Sequence, residues 1–513
     1  MKFRMYQLLF ICAFLFVGLT TSWAHDGDIT FQSSQLHEIR LTFWQPAFWD
    51  SLLATHTNDT TMPCLVNIDG FDIDTIGVKL KGNSSFNSYP GVKKSFKLSF
   101  DQYIDTNEYD GLHSLNLNNG FKDPTMLREK VMLDFLRSQG LPAPRCTFAK
   151  LYLNGSYWGL YSMVEEVDKV FVNDLIGNKD GNLFKGDPSG NLQWYGSEDS
   201  LYYTKYELHT NDSLNDWSDL VHLIDVINHA GSSLVDSLEP ILNTGNTLGI
   251  WATDLLFANL DSYTGTGHNY YLYHNTASGK FERIAWDANE AFGTFSMGMS
   301  IAQLEDLSYN YIPQPSNSSR PLNIQMLANA TYRKRLTDRL CFLIQNPFSA
   351  ENLNPRIDSL ANSIRTAYYA DPNKMFTNQN FDDNLEHDVT ITNIPGINQL
   401  AGLKSFIANR REKMMIQLAG LGCVYSGDEE HVQVQQKIEL GPNPCSKMAV
   451  LTLSSSSPCQ LTLHNLVGQV VKTFDIHAGA ITYTIEDVYV GLYICTAKYP
   501  NGDIGNGKLV IVE

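Results

Sequence analysis

Asp261, Asn269 and Asp287 are the residues of this chain whose types and spacing best suit chemistry. They lie in Asn259-Leu260-Asp261, Asn269-Tyr270-Tyr271-Leu272-Tyr273 and Trp286-Asp287. If 269–273 and 281–286 pair as an antiparallel hairpin around a turn at 275–279, their far ends bring Asn269 and Asp287 together, and a short loop places Asp261 nearby. Two carboxylates and an amide oxygen suit magnesium, a hard cation that takes oxygen ligands and shares the rest with phosphate and water. The remaining Asp could accept a hydroxyl proton or position a nucleophile. Asn and Asp also cap turns on their own account. The hairpin that would converge them is what favours a site.

The first half of the chain offers complementary parts. Val78-Lys79-Leu80-Lys81 runs as a strand into the small polar loop Gly82-Asn83-Ser84-Ser85, and Lys93-Lys94-Ser95-Phe96-Lys97-Leu98 follows. Such a loop brings backbone N–H groups and hydroxyls close to an anion. Lys94 or Lys97 could contact phosphate, and Glu129 on the next helix could hold that lysine by ion pairing. Out of context, the same residues make a surface hairpin with solvated lysines. No Gly-x-x-x-x-Gly-Lys-Ser/Thr, Gly-x-Gly-x-x-Gly, His-Glu-x-x-His or Gly-x-Ser-x-Gly occurs, so a P-loop, a dinucleotide fold, a zinc protease and a hydrolase elbow are unsupported.

The elements that must position these residues change along the chain. From about 28 to 165 short alternating strands dominate, among them 75–81, 93–100 and 148–153, with Asn154-Gly155 as a hairpin turn before 157–164. One helix, 124–139, interrupts them, with Asp123 as N-cap and Pro124 at the first helical position. From about 214 onward apolar residues recur at helical spacing in 217–227, 247–260, 323–344, 352–370 and 398–421. The pattern predicts an α+β, two-lobed body over 25–424, with a β-rich lobe at 28–213 and a helical lobe at 214–424. A polar linker, 425–436, leads to period-2 runs in 437–513 that suggest a small all-β sandwich.

Composition bounds the rest. The chain has 513 residues, 43% hydrophobic and 12% aromatic, which excludes disorder and a single small domain. Its 37 Lys and Arg against 55 Asp and Glu leave a net charge of −18, a field that repels nucleic acid and anionic lipid. Residues 1–24 read as a secretory signal peptide: Lys2 and Arg4, an apolar run from Leu8 to Leu19, then a small-residue end at Ala24. The apolar run is short for a membrane span, so no transmembrane anchor is expected in the mature chain. Of the eight cysteines, Cys12 falls in the signal, and the others stand at no metal-like spacing and assign no disulfide.

Lys81-Gly82-Asn83-Ser84-Ser85, Lys93-Lys94-Ser95-Phe96-Lys97-Leu98, Leu115-Asn116-Leu117, Leu127-Arg128-Glu129-Lys130, Leu141-Pro142-Ala143-Pro144-Arg145, Val164-Glu165-Glu166-Val167-Asp168-Lys169, Gly181-Asn182-Leu183-Phe184-Lys185, Asn269-Tyr270-Tyr271-Leu272-Tyr273 and Trp286-Asp287, in this order, resemble the CotH family. That family, named for a spore-coat protein, is similar to a reduced, atypical protein kinase. The resemblance implies an enzyme that uses ATP and Mg²⁺ or Mn²⁺ to phosphorylate Ser or Thr of secreted or surface proteins. It implies Asp261 as the catalytic-loop Asp, Asn269 and Asp287 as metal ligands, and Glu129 as the helix Glu. It implies Lys94, with Lys97 as second choice, as the phosphate-contacting lysine, and Lys81, Ser84, Ser85 and Glu165 on the nucleotide side. Where some members carry a second acid two residues after the metal-binding Asp, this chain has Asn289, which implies weaker metal binding.

The tail has its own resemblance. Gly441-Pro442-Asn443-Pro444, Asn465-Leu466-Val467-Gly468-Gln469, Gly491-Leu492-Tyr493 and the final Lys508-Leu509-Val510-Ile511-Val512 are similar to the C-terminal sorting domain of the type IX secretion system of Bacteroidota. This implies passage through the periplasm to the outer-membrane surface or the medium, with the type IX machinery as a partner. Two alternatives to a protein kinase stay open on the sequence. One is a kinase fold kept as an inactive scaffold, against which the retained Asp261, Asn269 and Asp287 argue; the other is a transferase moving AMP with the same metal residues.

Overall fold

A computed structural model gives the fold. It describes residues 25–423, apart from 32–35, 59, 314–319 and 393–397, together with strands between 438 and 511; the expected signal peptide and linker lie outside the described residues. The chain separates into two compact units, Met1–Val424 and Tyr425–Glu513.

The first unit mixes sheet and helix. Strands β1 (Leu36–Thr42), β2 (Met62–Ile68), β3 (Phe71–Lys81), β4 (Ser95–Ser99), β5 (Ser114–Asn118), β6 (Cys146–Leu153) and β7 (Ser156–Glu165) close into a barrel in the order β1-β2-β3-β4-β5-β7-β6. Neighbours are antiparallel except β1 and β6, which close the ring in parallel with Leu36 opposite Phe148. Alternation does the rest: Ile39, Leu41, Val78, Leu98, Leu115 and Leu151 turn inward and form one buried core. The β6–β7 turn needs two left-handed residues, and Asn154 (φ 46) and Gly155 (φ 81) supply them.

The interrupting helix starts later than the sequence suggests, at Arg128, and runs to Ser138. The Asp123 carboxylate does bind backbone N–H groups, those of Thr125 at 3.0 Å and Arg128 at 2.8 Å, but Met126 sits at φ 61, so the segment before the helix is a tight turn. Glu129 thereby falls in the first helical turn.

In the second half the helices include Ser218–His229, Thr244–Leu256, Ala350–Ala370 and Leu403–Ala419. The helix expected over 323–344 is two, Pro321–Ala328 and Ala330–Gln345, because Asn329 leaves the helix and caps the next through Thr331 N at 3.0 Å. A sheet in the order β11-β10-β8-β9 joins β8 (Leu183–Lys185) and β9 (Glu207–Leu208) to β10 (Tyr270–Asn275) and β11 (Lys280–Ala285). It crosses the expected division at residue 213, since the Tyr270–Tyr273 run is buried and needs a strand on each side. A disulfide joins Cys341 in the Ala330–Gln345 helix to Cys423.

In the second unit, Ile438–Gly441, Ala449–Leu453 and Thr482–Ile485 form one antiparallel sheet. Val470–Ile476, Cys459–His464, Gly491–Lys498 and Ile504–Ile511 form another. Among the described residues of the chain, no helix is long and apolar enough to cross a membrane.

Candidate active site

The β10–β11 hairpin brings Asn269 and Asp287 to one end. Its ladder pairs Tyr270 with Ala285 and Asn275 with Lys280, so Asn269 and Trp286-Asp287 leave it side by side. Asn269 (φ 56) and Asp287 (φ 52) both adopt left-handed backbone, a conformation that residues with side chains hold only when their surroundings impose it. Asp261 completes the group. Asn269 Nδ2 donates to the Asp261 carbonyl at 2.8 Å and to its carboxylate at 3.1 Å, and His268 Nε2 lies 3.3 Å from the other carboxylate oxygen. Burial pushes the Asp261 carboxyl above its ordinary range; Asp287 adds to this, and His268 and Lys122 oppose it.

These three side chains line a cavity of about 580 Å³ together with Lys81, Ser84, Ser85 and Lys97. The loop that carries the two serines is pinned. Gly82 has φ 88, and a Cβ there would stand 2.3 Å from Ser85 Oγ, so glycine is required. His56 Nε2 is 2.9 Å from the Gly82 carbonyl, and its ring stacks on Phe86 at 3.6 Å.

Lys81 ends β3 and lines both this cavity and an adjoining one of about 40 Å³, which Glu129 and Asp287 also line. Its Nζ donates to Asn116 Oδ1 at 2.8 Å and lies 5.3 Å from the centre of the Trp286 ring. Burial lowers the Lys81 ammonium, while Asp287, Glu166 and Glu129 pull it back up. Glu129 accepts two hydrogen bonds from Asn118 Nδ2, at 2.9 and 3.2 Å. Burial and the nearby Asp287 push its carboxyl up to about 7.

Two expected residues are placed elsewhere. Lys94, the first choice for phosphate, donates to the carbonyls of Phe86 (2.7 Å) and Tyr89, so it holds the loop from behind and does not line the cavity. The lysine that shares a cavity with Glu129 and Asp287 is Lys81, at the end of β3; Lys94 stands just before β4, whose first residue Ser95 pairs with Lys81, and its ammonium turns to the Phe86 and Tyr89 carbonyls. Glu165 is spent on Arg145, accepting its backbone N–H at 2.9 Å and an ion pair from its guanidinium. The next residue, Glu166, is the one that lines the cavity, where it binds Lys97 Nζ at 2.9 Å and Asn116 Nδ2 at 2.6 Å. Burial by itself would raise Glu166, but Lys97 and Lys81 hold it down at about 2.

Sequence reasoning missed Glu166, His268 and the pair Lys122–Glu290. The signal for Glu166 was strand alternation, which sends adjacent residues to opposite faces. Asn289, read as a lost charge, does line the cavity, and Glu290 beside it carries a carboxylate that Lys122 Nζ binds at 2.8 Å. Burial pushes Glu290 up to about 7 against the pull of Lys122. No signal in the sequence pointed to Lys122, which sits 168 residues away in a loop.

The donor set fits a hard cation: Asp287, Asn269 and Asp261 offer only carboxylate and amide oxygens. Among the described residues no three His, Cys, Asp or Glu side chains converge as a closed metal cage. A β-rich barrel and a helical half framing a cavity with a lysine, a buried glutamate and an Asp-Asn-Asp group define a kinase-like protein. The chain belongs to the family described as CotH kinase protein, whose profile matches residues 78–414.

Among named relatives, it is similar to the inner spore coat protein H of Bacillus subtilis, 27% identical over 299 residues, covering 56% of this chain and 77% of that one. It is also similar to the invasin CotH2 of Rhizopus delemar, 22% identical over 339 residues, covering 59% of this chain and 55% of that one. A chain of the solved Shewanella oneidensis HipA, HipB and operator DNA complex matches over 64% of this chain and 58% of its own at 10% identity and a TM-score of 0.25, too low to define a shared fold.

Proposed function

We propose that this protein transfers the γ-phosphoryl group of ATP to a Ser or Thr hydroxyl of a secreted or surface protein, with Mg²⁺ or Mn²⁺. The observation that carries this is the convergence of Lys81, Asp261, Asn269 and Asp287 on one cavity of about 580 Å³, a size that suits a nucleotide. A bound divalent cation would neutralise phosphate charge, and Asp287 and Asn269 are the residues that would hold it. Lys81, with Glu129 beside it, faces the phosphates; Ser84, Ser85 and Lys97 surround them. Asp261 orients the acceptor hydroxyl and takes its proton as the oxygen bonds to the γ-phosphorus and the β–γ bridging P–O bond breaks, releasing ADP.

Residues 1–24 would then export the chain, and 437–513 would serve as a type IX sorting segment. Support for an exported protein comes from the names of the relatives, a spore coat protein and an invasin, and from the Cys341–Cys423 disulfide, which suits an oxidising compartment.

The test is incubation of the purified chain with γ-labelled or α-labelled ATP, Mg²⁺ or Mn²⁺, and a protein acceptor, beside an Asp287→Ala protein. Label from γ-ATP that the variant lacks supports the proposal. Label from α-ATP makes the enzyme an AMP transferase. No label together with no nucleotide-dependent rise in Tm overturns the reading.

A further inference from the structure

Asp254, in the Thr244–Leu256 helix, is 1% exposed and does not line the cavity, yet both segments that carry the site's acids end on it. Its Oδ1 accepts Asn259 Nδ2 at 3.1 Å, and its Oδ2 accepts Thr264 Oγ1 at 2.9 Å and Arg283 Nη2 at 2.9 Å. Its backbone carbonyl accepts Asn259 N–H at 2.8 Å. Asn259 and Thr264 bracket Asp261. Arg283 lies on β11, which ends at Ala285, two residues before Asp287. One carboxylate therefore ties the Asp261 loop and the Asp287 strand to the same helix.

The pairing is demanding. The Arg283 guanidinium is buried, and its Nε and Nη1 have no hydrogen-bond partner among the described residues; its Cζ lies 5.5 Å from the centre of the Tyr263 ring and 5.8 Å from that of Tyr270. Asp254 supplies the opposite charge that this cation needs in a dry interior. Only a carboxylate accepts from all three donors, since an amide in its place has one acceptor oxygen and turns an N–H toward another donor. Other bonds of the loop are internal, such as Thr266 N–H to Leu260 O at 3.0 Å and Gly267 N–H to Ser262 O at 3.0 Å, and from outside it Arg320 Nη2 donates to the Gly265 carbonyl.

We propose that Asp254 is the positioning residue of this site, fixing Asp261 relative to Asp287 by holding loop and strand on one carboxylate. Its kinetic consequence rests on the phosphoryl-transfer reading, because displacement of a reacting group by about 1 Å costs on the order of a hundredfold in rate. Its structural consequence does not.

The experiment compares the full chain with Thr264→Val, Thr264→Ser and Asp254→Asn. Thr264→Val keeps the shape of the loop and removes one bond to Asp254. We expect its Gly265, Thr266 and Gly267 amides to exchange hydrogen at least tenfold faster. We expect kcat at least tenfold lower, with the KM for ATP within threefold of the parent. Thr264→Ser should restore both, and Asp254→Asn should show the larger loss of each. Unchanged exchange in Thr264→Val, or faster exchange with unchanged kcat, overturns the proposal. If the parent transfers no phosphate at all, the phosphoryl reading falls alone, and the exchange comparison still decides whether Asp254 holds the loop.

Discussion

Lys81 and Glu129 are cradled by two residues of the same strand face: Asn116 of β5 binds Lys81 Nζ at 2.8 Å, and Asn118, two positions on, binds the Glu129 carboxylate at 2.9 Å. Residues i and i+2 of a strand point the same way, so β5 presents a lysine and a glutamate from two other elements to one small cavity beside Asp287. This sets Lys81 apart from Lys94, which does not line that cavity. Lys81→Met should reduce phosphoryl transfer by about a hundredfold or more, as expected for removing a charge aimed at the phosphates. Lys94→Met should keep transfer within threefold and lower stability by about 1–3 kcal/mol, because the Phe86 and Tyr89 carbonyls lose their donor. Initial rates and urea unfolding of the two variants check this, and the reverse pattern would return the phosphate role to Lys94.

Glu166 predicts a pH dependence of stability. Its carboxyl is held at about 2 in the folded chain against an ordinary 4.5. A lowered folded value stabilises the protein above the unfolded value and loses that contribution as pH falls from about 4.5 toward 2. The difference corresponds to about 3 kcal/mol at neutral pH. Glu166→Gln should therefore unfold at lower urea than the parent at pH 7, with the gap narrowing steadily between pH 5 and pH 3. A gap that stays constant with pH would show that Lys97 and Lys81 do not hold this carboxylate.

The parts of the site that could be seen in the sequence are those built by local rules. Alternation and the turn at Asn275–Gly279 foretold the hairpin, and with it the approach of Asn269 to Asp287. The lysine could not be chosen, because Lys81, Lys94 and Lys97 are chemically alike and only the folded loop and strand pairing decide which side chain reaches Glu129 and Asp287. Glu165 and Glu166 differ by one step of a two-residue period, a distinction invisible until the end of β7 is fixed. The short strands Leu183–Lys185 and Glu207–Leu208 carry too few residues to show a period, so the sheet that crosses residue 213 was read as two separate regions. Left-handed backbone at Asn269 and Asp287 is imposed by the tertiary structure.

A second lysine next to Lys94 ties the barrel to the helical half. Lys93 Nζ binds Asp371 Oδ2 at 2.5 Å, with the two side chains 1% and 0% exposed, and Asp371 also accepts Leu160 N–H at 2.9 Å. Breaking a buried pair leaves an uncompensated charge, so Lys93→Met should cost about 3–5 kcal/mol. Lys93→Met combined with Asp371→Asn should recover part of that loss, because the second change removes the stranded charge. Equal destabilisation in the single and double variants, measured by urea unfolding, would show that the pair is not coupled in this way.

The Cys341–Cys423 disulfide closes a separation of 82 residues and fastens the Ala330–Gln345 helix to the chain just beyond the Leu403–Ala419 helix. In chain-entropy terms a closed loop of that length contributes about 4.5 kcal/mol, by restricting the unfolded chain. Reductant should therefore lower the Tm of the parent by several degrees and leave Cys341→Ser/Cys423→Ser unchanged. Thiol labelling separates this bond from the buried free cysteines. Burial pushes the thiols of Cys64 and Cys146 far up, which leaves little reactive thiolate in the folded chain. Cys341 and Cys423 should label after reduction of the native protein, whereas Cys64 and Cys146 should label only after unfolding. Labelling of Cys341 in the native, unreduced chain would show that the bond does not form, and would remove the structural support for an oxidising compartment.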